Sequence, residues 1–355
     1  MAKIAILSRS RLLNLNQKHP AKNFTKNFTK NFKVAAILFI TACLLSFPAT
    51  AKVQRYIKGN PANVNPPLAG AVYNLGGGGT DVDSAIQWMI NSVRGCQKCS
   101  SKVDVVIIRA AGSDAYNQPI YAMDGVDSVE TLVITSKMEA NAADVVETVK
   151  NAEVIFFAGG DQCKYVSNFH NTKLEKAIES VSNRGGAVGG TSAGAMIQSN
   201  FVYNACASSI ESPNALNDPY GNIDFTYNFL DWTHLKYTVI DTHFDKRDRM
   251  GRLMAFTARQ VQDGKAKTAM GIGVSEATSV VVDRDGTAKV MGEGAAYFVL
   301  ADHLPKVCAK GKPLSYADFK IWKVNSGETF SLGNYPKQGY YLRSVDRGKI
   351  DANPY

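Results

Sequence analysis

The sequence predicts an α/β protein built on a mainly parallel central sheet. Short buried runs rich in β-branched residues alternate with stretches of helical periodicity, and no Pro/Gly/Ser-rich linker breaks the alternation. After Thr278 the texture changes, and closely spaced apolar runs separated by a tight turn read as antiparallel strands. Residues 52–355 are therefore read as a single domain with a C-terminal strand pair and tail.

Residues 71–75 form the first predicted strand, followed by a helical pattern over 82–93. Residues 103–108 and 131–135 read as strands, with a helix over 142–149. Val154–Phe157 is a strand and residues 174–183 a helix. A short strand over 187–189 runs through glycines into a helix over 193–199. A strand over 237–240 precedes a helix over 249–262. Thr278–Val282, the turn at 283–286, and the runs over 287–291 and 295–300 complete the antiparallel part. Residues 306–355 are polar and rich in Lys, Gly and Tyr. They are expected to hold one further strand pair around 319–324 and a surface tail. Residues 201–233 lack periodicity, and so long a stretch inside a compact domain usually serves function.

The formal charge of +9 suggests a nucleic-acid partner, but it is carried by the leader. Residues 1–51 hold eight Lys and Arg and no Asp or Glu, which leaves 32 basic against 31 acidic side chains in the remainder. Binding to phosphate backbones needs a surplus or a clustered patch, so that class is excluded. Within the leader an apolar run over 34–47 precedes Ala49-Thr50-Ala51. This is the pattern of an export signal, with cleavage expected after Ala51 and a secreted or periplasmic product. The run is short for a membrane span, so no stable span is expected after cleavage. An uncleaved anchor and lipidation at Cys43 are the alternatives. The remaining cysteines are Cys96, Cys99, Cys163, Cys206 and Cys308. No further ligands accompany the C-x-x-C pair, so an oxidising compartment favours a local or longer-range disulfide over zinc. Cys163 reads as a buried thiol or half of a disulfide.

The chemistry is carried by Gly190-Thr191-Ser192-Ala193-Gly194. This is G-x-S-x-G between a strand and a helix, a bend that presents a serine at its tip. The bend is tight enough to exclude side chains at Gly190 and Gly194. The Ala193 N–H is available to an oxyanion. Serine needs a base, and His243 lies at the C-terminal end of a predicted strand, where open α/β sheets gather ligands. Glu276 ends another apolar run and is the candidate that orients the imidazole. Val154–Phe157 leads into Gly159-Gly160-Asp161-Gln162, where Gly160 supplies a second N–H and Gln162 points to the pocket. The clustered Arg247, Arg249 and Arg252 suit a substrate rich in carboxylates, and Asp241 suits a guanidinium. Local ion pairs to Asp245 and Asp248 are the alternative for the arginines. The order Ser, His, Glu disfavours the α/β-hydrolase fold.

Four ordered motifs, Phe156–Gln162, Gly189–Ala195, Asp241–Leu253 and Gly271–Thr278, together resemble the cyanophycinases, a branch of serine peptidases that also holds the aspartyl dipeptidases. The resemblance spans roughly residues 71–300. It implies a class I glutamine amidotransferase-like three-layer sandwich, a Ser192–His243–Glu276 triad, and no metal or organic cofactor. It implies cyanophycin as substrate, a poly-aspartate with arginine on each side-chain carboxylate, cut to β-Asp-Arg. The residues matching the family's substrate pocket are Gln162, Asp241, Arg247, Arg249 and Arg252, Thr242 occupies a further pocket position, and a homodimer is compatible with the family. Thr242 stands where the family carries Gln, and Ser275 where it carries Asp. A dipeptidase acting on another small acidic peptide and a non-catalytic binding module are the alternative readings.

Overall fold

The computed structural model describes residues 52–355; the expected export signal lies outside them. A nine-stranded sheet has five parallel strands at its centre: Val126–Val133, Val103–Arg109, Val154–Phe157, Ala187–Thr191 and Val72–Gly76. Gln54–Gly59 adds antiparallel at one edge. Thr278–Val282, Thr287–Gly292 and Thr329–Ser331 add antiparallel at the other. A second sheet begins with Thr238–Asp241 parallel to Ala269–Val274, then continues antiparallel through Ala295–Ala301, Lys312–Asn325 and Tyr341–Asp346. The α/β class and the mainly parallel central sheet are as the sequence predicts.

Burial on both faces explains why the parallel strands read as continuous apolar runs. Val103, Val105 and Ile107 share a core with Ile86, Met89, Ile90 and Val93 of the helix Asp83–Arg94. Those four lie at i, i+3, i+4 and i+7, one face of a helix. Val106 and Ile108 point the other way, to the helices Ala143–Asn151 and Lys173–Asn183. The same cluster includes Val280 and Val282 of the first sheet with Ile272, Val274 and Phe298 of the second. Both sheets thus grow from one core, and each large aliphatic side chain buried there contributes roughly 1.5–3 kcal/mol. The second sheet's other face packs on Leu253, Met254 and Phe256 of the helix Met250–Gln262.

Several boundaries differ from expectation. The helix expected over 193–199 is a single turn, Ala193–Met196. The strand expected at 131 begins at Val126. The expected tail over 306–355 is largely sheet: Lys312–Asn325 is a 14-residue strand, and Tyr341–Asp346 pairs with it. Leu314, Ser315 and Tyr316 are buried together and Ala317 and Asp318 exposed together, where the register shifts, so no regular period runs along it. The segment over 201–233 contains a two-stranded ribbon, Phe201–Tyr203 with Phe225–Tyr227, and the short helix Ser212–Asn217. Among the described residues no helix is long and apolar enough to cross a membrane.

Candidate active site

The C-terminal ends of six strands converge on one edge. Val72–Gly76 leads into Gly77-Gly78-Gly79, Ala187–Thr191 into Ser192, and Val154–Phe157 into Gly159-Gly160. Thr238–Asp241 leads into His243, Ala269–Val274 into Glu276, and Val103–Arg109 ends at Arg109. Ser192 occupies φ 53°, ψ −122°, a conformation rarely taken by a residue with a side chain. The bend is enforced sterically. A Cβ on Gly190 would lie 2.5 Å from the Gly194 carbonyl oxygen, and one on Gly194 would lie 2.3 Å from that of Phe157. His243 (φ 49°) and Ala277 (φ 51°) are left-handed as well. Three such residues from separate segments at one edge mark a place where local strain is held by the surrounding fold.

Ser192 Oγ lies 2.9 Å from His243 Nε2, and His243 Nδ1 lies 2.6 Å from Glu276 Oε1. With Nδ1–H donating to the carboxylate, Nε2 is left as an acceptor for the serine hydroxyl. His243 is nearly buried, whereas the Glu276 side chain is one-third exposed. Burial pulls the His243 pKa below its ordinary value. The charges of Arg247 and Arg249 act in the same direction, against the hydrogen bond to Glu276. The hydrogen bond from His243 lowers the Glu276 pKa, helped by the charges of Arg247 and Lys246. The resting pair is therefore a neutral imidazole on an ionised carboxylate.

Sequence reasoning passed over the element that assembles these groups. Gly76-Gly77-Gly78-Gly79 carries the backbone contacts of all three segments. The Ser192 N–H donates to Gly76 O (2.9 Å), the His243 N–H to Gly77 O (2.7 Å), and the Ala277 N–H to Gly78 O (3.0 Å). A Cβ on Gly78 would lie 2.4 Å from His243 Cε1. The signal was present as four consecutive glycines at the end of a predicted strand.

Ser192 and His243 open into a cavity of about 290 Å³ lined also by Gly160, Gln162, Ala193, Thr242, Arg247 and Arg249. Arg247 is exposed and has no carboxylate within 4 Å among the described residues. Arg249 is mostly buried; burial, with the neighbouring arginine charges, lowers its pKa to about 10. Asp241 and Arg252 do not line the cavity. Asp241 is fully buried and accepts Arg252 Nε and Nη2 at 2.6 Å each. Arg252 Nη1 is taken up by Ser209 Oγ and the Ile210 carbonyl. Both were expected to face substrate; here each satisfies the other inside the fold, Arg249 Nη1 lies 3.4 Å from the same Asp241 carboxylate, and among the described residues none of Arg247, Arg249 and Arg252 pairs with Asp245 or Asp248. Thr242 Oγ1 and Ser275 Oγ are buried without a partner among the described residues.

Cys163 and Cys206 are bonded, tying the helix Gln162–Phe169 to the irregular segment that supplies Ala205 and Ser209 to the cavity wall. Cys96 bonds to Cys99, and Cys308 is a buried thiol. No cluster of three or more His, Cys, Asp or Glu side chains suited to a metal occurs among the described residues.

The model of peptidase family S51 matches residues 113–290. A protein named cyanophycinase from a Nostoc species is 28% identical over 221 residues, which cover 60% of this chain and 68% of that protein. Another cyanophycinase, from Synechococcus elongatus, is 23% identical over 81% of this chain and 89% of its own length. A solved peptidase from an acI-B1 actinobacterium matches at 20% identity with a TM-score of 0.49, over 75% of this chain and 98% of the peptidase.

Proposed function

The chain belongs to peptidase family S51, a cyanophycinase-like serine peptidase, and on that premise we propose that it is exported and hydrolyses cyanophycin to β-Asp-Arg through an acyl-enzyme. The observation that carries this reading is the pair of contacts Ser192–His243 and His243–Glu276 at the mouth of an arginine-lined cavity. His243 Nε2 takes the Ser192 proton as Oγ adds to an α-peptide carbonyl of the aspartate backbone. The Ala193 and Gly160 N–H groups receive the oxyanion. Ala193 opens a helix, and the first N–H of a helix has no partner within it. His243 then protonates the departing backbone amine as the C–N bond breaks. Water, deprotonated by the same imidazole, hydrolyses the ester and returns the proton to Ser192. Glu276 holds the ring in register and stabilises its charged form.

Arg247 and Arg249 meet the substrate's carboxylates, and Gln162 and Thr242 complete the wall. No step calls for a metal or an organic cofactor. The direct test is incubation of the purified protein with cyanophycin, beside a Ser192→Ala variant. Release of β-Asp-Arg by the parent alone is expected; folded parent protein that releases none would refute this substrate. The unpartnered Thr242 hydroxyl favours one second reading, a family member acting on a smaller acidic peptide. Asp-X and isoaspartyl dipeptides discriminate, because a polymer enzyme leaves them uncut. Export is tested separately: the mature protein recovered outside the cytoplasm should begin at Lys52.

A further inference from the structure

A hollow of about 620 Å³ lies beside the helix Asp83–Arg94, lined by Trp88, Cys96, Gln97, Asp285 and Met291 among others and by no residue of the Ser192 cavity. Cys96 in its wall is bonded to Cys99. That bond joins residues three apart, so it closes too short a loop to constrain the unfolded chain much, whereas Cys163–Cys206 spans 43. The backbone there is fixed by other means. The Gly95 and Cys96 N–H groups close the helix on the Ser92 and Asn91 carbonyls. Arg94 Nη2 and Nε hold the Cys99 and Ser101 carbonyls at 3.0 Å and 2.7 Å. The bond is therefore not what holds the loop.

Arg94 is only 8% exposed, and a guanidinium buried so deeply ordinarily has a carboxylate beside it. Among the described residues every group it meets is neutral: the carbonyls of Cys99, Ser101 and Asp124, the Asn91 side-chain oxygen and Cys99 Sγ. Nη2 donates to that sulfur across 3.5 Å. A disulfide sulfur is a weak acceptor, but a thiolate in the same place is the missing anion. The two cysteines are thus unequal. Cys96 follows a helix C-terminus, whose negative end disfavours a thiolate, while the exposed Cys99 faces a cation.

We propose that Cys96–Cys99 is a redox-active pair that oxidises a peptide carrying two neighbouring thiols, docked in the hollow over Trp88. A thiolate of the peptide attacks Cys96 Sγ, the Cys96–Cys99 bond breaks, and Cys99 leaves as a thiolate against Arg94. The peptide's second thiolate attacks the peptide sulfur of the mixed disulfide, and Cys96 departs. The peptide gives two electrons to the pair; of its two thiol protons, one passes to Cys96 and one to solvent. Ser192 takes no part.

The test mixes the full chain with a reduced Cys-Gly-Gly-Cys peptide under argon and follows the peptide's mass. The peptide should lose both thiol hydrogens, one equivalent per chain, and the thiols that appear should map to Cys96 and Cys99, not to Cys163 and Cys206. A Cys96→Ser/Cys99→Ser double variant should leave the peptide reduced. A glutathione titration then reads the midpoint of the pair. Arg94→Gln should need about tenfold more reduced over oxidised glutathione to open the bond, about 30 mV for a two-electron couple. Thermal melting checks that this variant folds; if it does not, the peptide assay decides alone. Peptide left reduced by the parent, or a midpoint within twofold of the parent in folded Arg94→Gln, would overturn the proposal.

Discussion

Substituting Gly78 by alanine tests the assembly of the site without touching any group that reacts. The added Cβ would stand 2.4 Å from His243 Cε1, whereas carbon atoms in contact settle near about 3.5 Å, so one of them must move by about 1 Å. Gly78 is held by the backbone on both flanks, through Gly77 N–H to Thr278 O and Ala277 N–H to Gly78 O, so the imidazole is the part that yields. A displacement of about 1 Å from a 2.9 Å hydrogen bond removes the base from its hydroxyl, and a misplacement of that size costs on the order of 100-fold in rate. That is about 2.7 kcal/mol of barrier. Gly78 also has φ +88°, so alanine brings backbone strain of about 1–2 kcal/mol that has nothing to do with the histidine. Gly264→Ala isolates that strain: its φ is +65° and nothing lies within 4 Å of the added atom. The assay is kcat/KM on cyanophycin with melting midpoints for both variants. Gly78→Ala should lose about 100-fold in rate, and Gly264→Ala should lose stability alone. Equal rates in the two variants would refute the claim that the glycine run seats the imidazole.

Because burial and Arg247 and Arg249 lower the His243 pKa, the neutral base forms as pH rises through a value under 6.5; the acid limb of kcat/KM should have its midpoint below that. Glu276→Gln removes the main group that opposes the lowering, so the midpoint should fall further while kcat drops about 100-fold. Asp241→Asn leaves the buried Arg252 guanidinium short of its charge partner and should cost roughly 3–5 kcal/mol in urea unfolding. An apolar Asp241→Leu/Arg252→Met double variant should recover much of that; a KM effect with unchanged stability would return the pair to substrate binding. Cys206→Ser opens a bond across a sequence separation of 43, worth about 4 kcal/mol of chain entropy, and should lower the melting midpoint and remove most of its dependence on reductant, leaving only what the three-residue Cys96–Cys99 link contributes.

The fold class was legible because the parallel strands are buried on both faces and so declare themselves as short apolar runs. What was missed follows from the same rule. Gln54–Gly59 is an edge strand with mostly exposed residues and makes no apolar run, and Lys312–Asn325 extends well beyond the run expected around 319–324, with a register shift between Tyr316 and Phe319 that breaks its pattern. The short helices Asn117–Tyr121 and Lys137–Ala140 have too few turns for a periodicity to show. The partition into two sheets was beyond sequence reasoning altogether. Thr287–Gly292 and Ala295–Ala301 are separated by two residues, the spacing of a hairpin, yet they join different sheets.

The site was legible wherever chemistry demands a particular residue type, and illegible wherever a side chain serves another protein group. Ser192, His243 and Glu276 were singled out because a serine on a tight bend and a histidine and a carboxylate at strand ends have few other reasons to be there, and the fold brings the three into one hydrogen-bonded chain. Asp241 and Arg252 were drawn into the pocket because charged residues beside His243, the proposed base, look addressed to substrate. Only burial separates a charge that meets a ligand from one that is already satisfied. Gly76 to Gly79 fail in the opposite sense, since they have no side chain to announce a role, yet the segments that carry Ser192, His243 and Glu276 all dock their backbone on them. The serine, histidine and glutamate come from three strand ends of two sheets, and the glycine run is what contacts all three. Its bare backbone makes that approach possible, and the spacing between hydroxyl, imidazole and carboxylate is set there before any substrate arrives.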